Sequence, residues 1–473
     1  MTNTNFSFNQ NIWTKMPDRA LADYLKNNTD RQFEELCQWL RIPSISCQSE
    51  YRQDMVQAAQ WLARQLEKIG LEHVEVIETN SHPLVYADWL HAPKDRPTVL
   101  IYGHYDVQPV DPIDLWTTPP FEPAVRGNDL YARGTTDDKG QLFALVKALE
   151  ALFEVRGELP VNIKLIAEGD EESGGEAIEP YVKKNKNKLA ADICLISDTA
   201  IISPDLPSIT YSLRGIWGCE LVVRGPKGDL HSGVYGGVVH NPAQALAELI
   251  ATLHDQQGRV AVPGFYDDAA DLDPDERAKL AKIPAGEKQY LEETGAPALY
   301  GEPGFTPVEL TGARPTLEIN GMWGGFTGEG FKTVIPAEAR AKISCRLVPN
   351  QDPEKIRQAI TRHLNQVAPS TVSIEVIPLF GMEAVMVDPD APAVSAAAKA
   401  YELGFGAAPV FKREGGGIPI VLGFKEELDA QVILMGFGLP NDNAHAPNEK
   451  MHLPNFYRGI CTAVHFLDEL ILK

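Results

Sequence analysis

Five short segments of this chain carry histidines and carboxylates in positions where they could hold cations. His104 and Asp106 close the apolar run that begins at Val99, and Asp137 with Asp138 follows the turn Leu130–Gly134 just ahead of a helix. Glu171 and Glu172 follow the apolar run Val161–Ala167, Asp198 follows Ile193–Ser197, and His445 follows Gln431–Met435. A buried strand ending in a histidine and a carboxylate two residues apart is a poor core element but a good metal site, because side chains at a strand tip escape the sheet and can converge. Each residue taken singly has a bland reading: an aspartate after a strand commonly caps a helix or a turn, and a lone histidine commonly packs. Gathered on one sheet edge, several like charges are costly unless cations neutralise them. Two histidines and three carboxylates suit Zn²⁺, with Mn²⁺ or Co²⁺ also compatible. Two such ions roughly 3.5–4 Å apart, sharing one carboxylate, would form a two-metal hydrolytic site. In the Glu171-Glu172 pair one carboxylate can bind metal while its neighbour stays free, as a general base must.

The elements that must position these residues alternate between strand and helix. Helical spacing of apolar residues predicts helices over Asp18–Leu40, Asp54–Ile69, Gln141–Val155 and Glu176–Lys184. Strands are expected at Val99–Tyr102, Val161–Ala167 and Ile193–Ser197. After Asp388 the rhythm resumes with a helix Pro392–Leu403, a strand Gln431–Met435 and a helix Tyr457–Leu472. This predicts an α/β domain with a mixed, largely parallel sheet covered by helices, built from residues 1–208 and 385–473. Between them, residues 209–384 read as an inserted α+β domain: strand Glu220–Val223, helix Pro242–His254, strands Thr316–Asn320 and Ala339–Leu347, helix Pro353–Val367 and strand Thr371–Ile377. That order is the split βαβ signature, interrupted at 258–312 by a stretch rich in Pro, Gly, Asp and Glu that reads as an irregular lobe or flap.

Composition narrows the class. With 473 residues, 44% apolar and 23% charged, the chain reads as a multidomain globular protein. A formal net charge of −22 argues against nucleic acid and anionic membranes as partners. Residues 1–16 lack an apolar core and no apolar run reaches the roughly 18 residues of a membrane span. Six scattered cysteines form no CxxC pair and read as reduced packing thiols, which points to the cytoplasm.

The ordered segments His104–Asp106, Arg133–Gly140, Glu168–Gly174, Ser197–Asp198, Asp229–Gly233 and Ala444–His445 resemble the M20 metallopeptidases, most closely the carnosinase-like cytosolic dipeptidase branch. The resemblance spans nearly the whole chain. It implies that His104 and Asp198 bind one divalent ion and Glu172 and His445 a second, with Asp137 bridging and the Asp137–Asp138 peptide cis. Asp106 would orient His104, and Glu171 would take a proton from the attacking water and pass it to the leaving amine. It further implies a homodimer through the inserted domain, in which His231 reaches the partner's active site and stabilises the oxyanion. Arg346 would clamp the substrate's C-terminal carboxylate. Thr333 and Glu414 would line the cleft, Glu414 meeting a substrate amine; the family often has serine where Gly417 stands. The implied activity is hydrolysis of dipeptides or short peptides. Two other readings accompany it: an N-acyl amino acid deacylase on the same metal centre, and a non-catalytic metal-dependent assembly module, against which the presence of Glu171 argues. The glycine-rich stretch Gly324–Thr333 lacks the strand–loop–helix setting and the Gly-Lys-Ser/Thr ending of a phosphate loop.

Overall fold

A computed structural model of the chain describes residues 10–175, 177–418 and 420–471. Glu176 and Leu472, at the ends of two expected helices, and the first nine residues lie outside the described residues. The chain divides into two compact units. One holds the chain up to Tyr211 together with Val387–Phe411 and the segment from Ile418; the other holds Ser212–Met386 and Lys412–Gly417. The segment 412–417, expected in the second part of the α/β domain, goes with the inserted unit. Its backbone and side chains explain why: the Arg214 amide donates to the Glu414 carbonyl at 3.2 Å, and Arg413 pairs with Glu276.

In the first unit, four strands stand side by side and parallel, in the order Asn162–Glu168, Thr98–His104, Ile193–Ile196 and Gln431–Leu434. Their carboxyl ends therefore share one edge. Antiparallel strands flank this set, Glu72–Ile77 and Leu84–Trp89 on one side and Ser208–Leu213 on the other, so the sheet is mixed. Glu72–Ile77 is an edge strand, largely exposed, in which Glu72, His73 and Glu75 interrupt the apolar Val74, Val76 and Ile77, and sequence reading misses it.

The Thr98–His104 strand is buried on both faces, which is why its sequence is continuously apolar. Val99 and Ile101 join a core with helices Arg19–Leu40, Arg52–Lys68, Lys139–Arg156, Pro392–Phe405 and Leu453–Glu469. Tyr102, pointing the other way, meets the Phe424 ring of helix Ile420–Leu428 at 5.4 Å. The helix Lys139–Arg156 runs through the core, and Lys147 is wholly buried in it. Its ammonium lies 2.6 Å from both Glu35 and Glu150; Arg31 also pairs with both carboxylates, and Lys68 with Glu35.

The second unit has a four-stranded antiparallel sheet in the order Thr316–Gly324, Glu338–Leu347, Gly215–Arg224 and Ser373–Met382. Helices Pro242–Ala251 and Pro353–Val367 pack on it, which is the split βαβ arrangement. The stretch 258–312 is more regular than its composition suggests. It contains the helices Pro274–Leu280, Glu287–Thr294 and Pro307–Gly312, the last opened by a capping box between Thr306 and Glu309. Among the described residues, no helix is long and apolar enough to cross a membrane.

Candidate metal centre

The parallel strands deliver three of the acidic segments to one edge, and two loops bring the others. His104 ends its strand opposite Glu168 in register, and Asp198 lies two residues beyond the neighbouring strand. Asp137 sits on the irregular loop before helix Lys139–Arg156, with a cis peptide to Asp138. Gly140, in the first turn of that helix, has no room for a side chain: a Cβ there would lie 1.9 Å from the Thr135 carbonyl. His445 lies on a loop bent by three left-handed non-glycine residues, Asn443, His445 and Asn448.

These side chains form two groups whose ligand atoms lie within 4.8 Å of one another: His104, Asp137 and Asp198 in one, Asp137, Glu172 and His445 in the other. Asp137 belongs to both. Its Oδ1 is 3.0 Å from His104 Nε2 and its Oδ2 is 2.9 Å from His445 Nε2. His104 Nε2 is 3.8 Å from Asp198 Oδ2, and His445 Nε2 is 3.1 Å from Glu172 Oε2. His104 is wholly buried, whereas the His445 side chain is 56% exposed, so the two groups differ in access to solvent. Imidazole nitrogens and carboxylate oxygens in two adjoining sets are the donors that a pair of divalent ions requires.

Asp106, also wholly buried, supports both groups. Its Oδ1 lies 3.3 Å from His104 Nδ1, and its Oδ2 accepts the Glu172 amide at 3.1 Å. Gln108, which the sequence reading passed over, donates to Glu172 Oε2 at 2.8 Å. Glu171 belongs to neither group.

The electrostatics follow from crowding charges in a buried place. Burial raises Asp198 far above the ordinary carboxylate range, with Asp137 and Asp138 adding to it. Burial also raises Glu172, with Asp137 beside it, against the pull of His445. Burial penalises the Asp137 carboxylate too, but His104 and His445 outweigh that and hold it low. Hydrogen bonds to Asp137 and Glu172 lift His445 to about 10. Glu171 is pushed up to about 7, first by burial and then by Glu172, Asp137 and Asp106 against His104. A carboxyl poised there can take up and release a proton near neutral pH.

The other expected site residues lie in the second unit. His231 is exposed and its Nδ1 accepts the Gly233 amide at 2.9 Å. It pairs with Val334 in a two-residue ribbon, and the next amide, Ser232, donates to the Thr333 carbonyl, so His231 and Thr333 are neighbours. Arg346 is half-buried on the strand Glu338–Leu347 and has no ion pair among the described residues. Burial lowers its pKa, and also pushes Arg214 down to about 10 with Arg346's charge adding to the effect. Glu414 lies 3.0 Å from Lys412, so its carboxylate already has a cationic partner. At Gly417 a Cβ would come within 2.6 Å of the Met382 methyl and 3.0 Å of the Arg214 carbonyl, which accounts for glycine at this position.

Fold and site together define a two-group acidic–histidine centre on an α/β sheet edge with a split βαβ insertion. The model of Peptidase family M20/M25/M40 matches residues 100–469, and the chain belongs to that family. Within it, the chain falls on the carnosinase-like metallodipeptidase branch. It is 34% identical over 473 residues to the Cys-Gly metallodipeptidase dug1 of Schizosaccharomyces pombe, covering 96% of this chain and 99% of that one. The crystal structure of human carnosine dipeptidase 1 superposes with a TM-score of 0.82 at 31% identity, covering 96% of this chain and 99% of that one. An M20 family metallo-carboxypeptidase, Sso-CP2 from Sulfolobus solfataricus, superposes with a TM-score of 0.83 at 34% identity, covering 93% and 99%.

Proposed function

We propose that the chain is a metal-dependent dipeptidase that hydrolyses the peptide bond of dipeptides or short peptides with a free C-terminus. The observation that carries this reading is the pair of ligand groups sharing Asp137, with Glu171 beside them and in neither. His104 and Asp198 would hold one ion, Glu172 and His445 the other, and Asp137 both. Zn²⁺ suits the donors best, with Mn²⁺ or Co²⁺ as alternatives. When bound, the ions supply Lewis-acid chemistry, polarising the scissile carbonyl and acidifying the attacking water.

The remaining work falls to side chains. Glu171, with a carboxyl near 7, takes the proton of that water on its free oxygen and hands it to the leaving amine. Asp106 holds the imidazole of His104 and the backbone of Glu172 in place. Arg346, a half-buried guanidinium without a carboxylate partner among the described residues, receives the substrate's C-terminal carboxylate. Thr333 contacts the bound peptide and Glu414 exchanges Lys412 for the substrate amine.

His231 acts from a second copy of the chain, donating to the developing oxyanion. Exposed apolar residues around its ribbon support a homodimer: Val234 and Tyr235 on the adjoining helix, and Val238 and Phe331, 84% and 91% exposed, in the flanking loops. Six free cysteines, five of them buried, support a cytoplasmic setting.

A deacylase would use the same centre, since both reactions hydrolyse an amide. Two relatives matched over more than nine-tenths of their own length, the Schizosaccharomyces pombe Cys-Gly metallodipeptidase and the human Beta-Ala-His dipeptidase, are dipeptidases, which favours the peptidase reading. A panel of dipeptides, among them Cys-Gly and β-Ala-His, run beside N-acetyl and N-succinyl amino acids, tests it. The dipeptides should turn over faster; faster turnover of the acyl compounds would overturn the assignment.

A further inference from the structure

The loop that carries Asp137 is supported by no regular element: residues 132–138 are turns and bends ahead of helix Lys139–Arg156. Buried backbone N–H groups in such a loop need acceptors. Three of them find theirs on a single side chain. Glu449 Oε2 accepts the Gly134 amide at 2.9 Å, and Oε1 accepts the amides of Thr136 at 3.0 Å and Asp137 at 3.2 Å. Oε2 also takes the Arg133 Nη1 donor at 2.8 Å, so both oxygens are doubly engaged. Glu449 is fully buried, and Arg133 is 1% exposed.

The connections run further. Arg133 Nη2 donates to the Pro109 carbonyl at 2.8 Å, three residues beyond Asp106. Glu449 itself lies four residues after His445, where it closes the loop bent by Asn443, His445 and Asn448. Glu449, directly and through Arg133, thus ties together the three segments that carry His104, Asp137 and His445. Glu449 belongs to neither ligand group.

We propose that Glu449 is the positioning residue for the shared carboxylate: it presets the Asp137 loop, and through Asp137 it governs the affinity of both metal positions. The proposal rests on the two-ion reading above. It differs from a general packing role in what it predicts, because Asp137 is the one residue common to both groups, whereas His445 serves one. Glu449→Gln keeps the size and shape of the side chain. The new amide NH₂ must then face two N–H donors, so at least one pair of these bonds is lost.

The test is a chelator-competition titration of Zn²⁺ with wild type, Glu449→Gln and, as a one-position control, His445→Ala, with folding followed by circular dichroism and a melting curve. Wild type should bind two ions, and fewer would overturn the two-ion reading itself rather than the role of Glu449. Glu449→Gln should melt cooperatively and bind both ions about 10- to 100-fold more weakly, while His445→Ala should lose one ion and keep the other. Wild-type affinity in Glu449→Gln, or loss confined to the ion on the His445 side, would overturn the proposal. Should the variant not fold, hydrogen exchange on metal-stripped wild type decides. Peptides covering 133–138 should stay as protected as in the loaded protein; rapid exchange there after stripping would show that the ions, and not Glu449, order the loop.

Discussion

Replacing Glu171 by Gln removes one proton acceptor and leaves every ligand in place. Burial and the neighbouring carboxylates put the Glu171 carboxyl at about 7. A base titrating there is about one-tenth ionised at pH 6 and about nine-tenths ionised at pH 8, so kcat/KM of wild type should climb roughly tenfold across that interval. Bound divalent ions draw the value down, moving this limb to lower pH without abolishing it. Positioned general bases contribute about 10²–10⁴ in rate, or about 2.7–5.5 kcal/mol at 1.36 kcal/mol per tenfold. Glu171→Gln should therefore lose at least about a hundredfold in kcat and lack the ascending limb, since the amide does not titrate. The assay is dipeptide hydrolysis across neutral pH, with metal content measured on the same preparations. Full metal content with near wild-type turnover would refute the role of Glu171. So would an ascending limb that survives the substitution, which would belong to another group.

Arg346→Met should raise KM for a free dipeptide by about 10- to 100-fold, as expected for a lost charge-assisted contact, and barely change it for the C-terminal amide; equal effects on both would remove Arg346 from carboxylate binding. Mixing His231→Ala with Glu171→Gln subunits should restore part of the activity in heterodimers, and no rescue would mean that each chain's site is complete. Lys147→Met leaves Glu35 and Glu150 buried with less compensation, a change that costs about 3–5 kcal/mol for a broken buried pair and less where, as here, Arg31 and Lys68 remain. Against the penalty of burial, Arg31 and Lys147 hold Glu150 at about 2, below its ordinary 4.5. Its contribution is thus present above pH 4.5 and disappears as pH falls toward 2, so the variant's stability should fall less steeply with acid than wild type's. Urea melts over that range would show it, and parallel slopes would argue against the assignment.

Much of this protein is legible in the order of its residues. Local signals are strong where a strand is buried on both faces, as at Thr98–His104, and where a long helix is well capped, as at Asp18 ahead of Arg19–Leu40. Strand tips followed by His104, Asp198, Glu171 and Glu172 indicated chemistry because charges are expensive there without a purpose. The irregular reading of 258–312 came from composition, which cannot show that it holds three short helices, two of them fixed by side-chain caps and by ion pairs distant in sequence. Edge strands such as Glu72–Ile77 were silent because their pairing partner supplies what their side chains do not. The deepest difference concerns the loops. Spacing could nominate Asp137 and His445, but it could not show which carboxylate would satisfy the backbone of the Asp137 loop. Glu449 does this across more than three hundred residues of chain, from 2.9 to 3.2 Å, because burial leaves those amides no water to turn to. That pairing is a tertiary fact, decided when the sheet edge brings the two loops together.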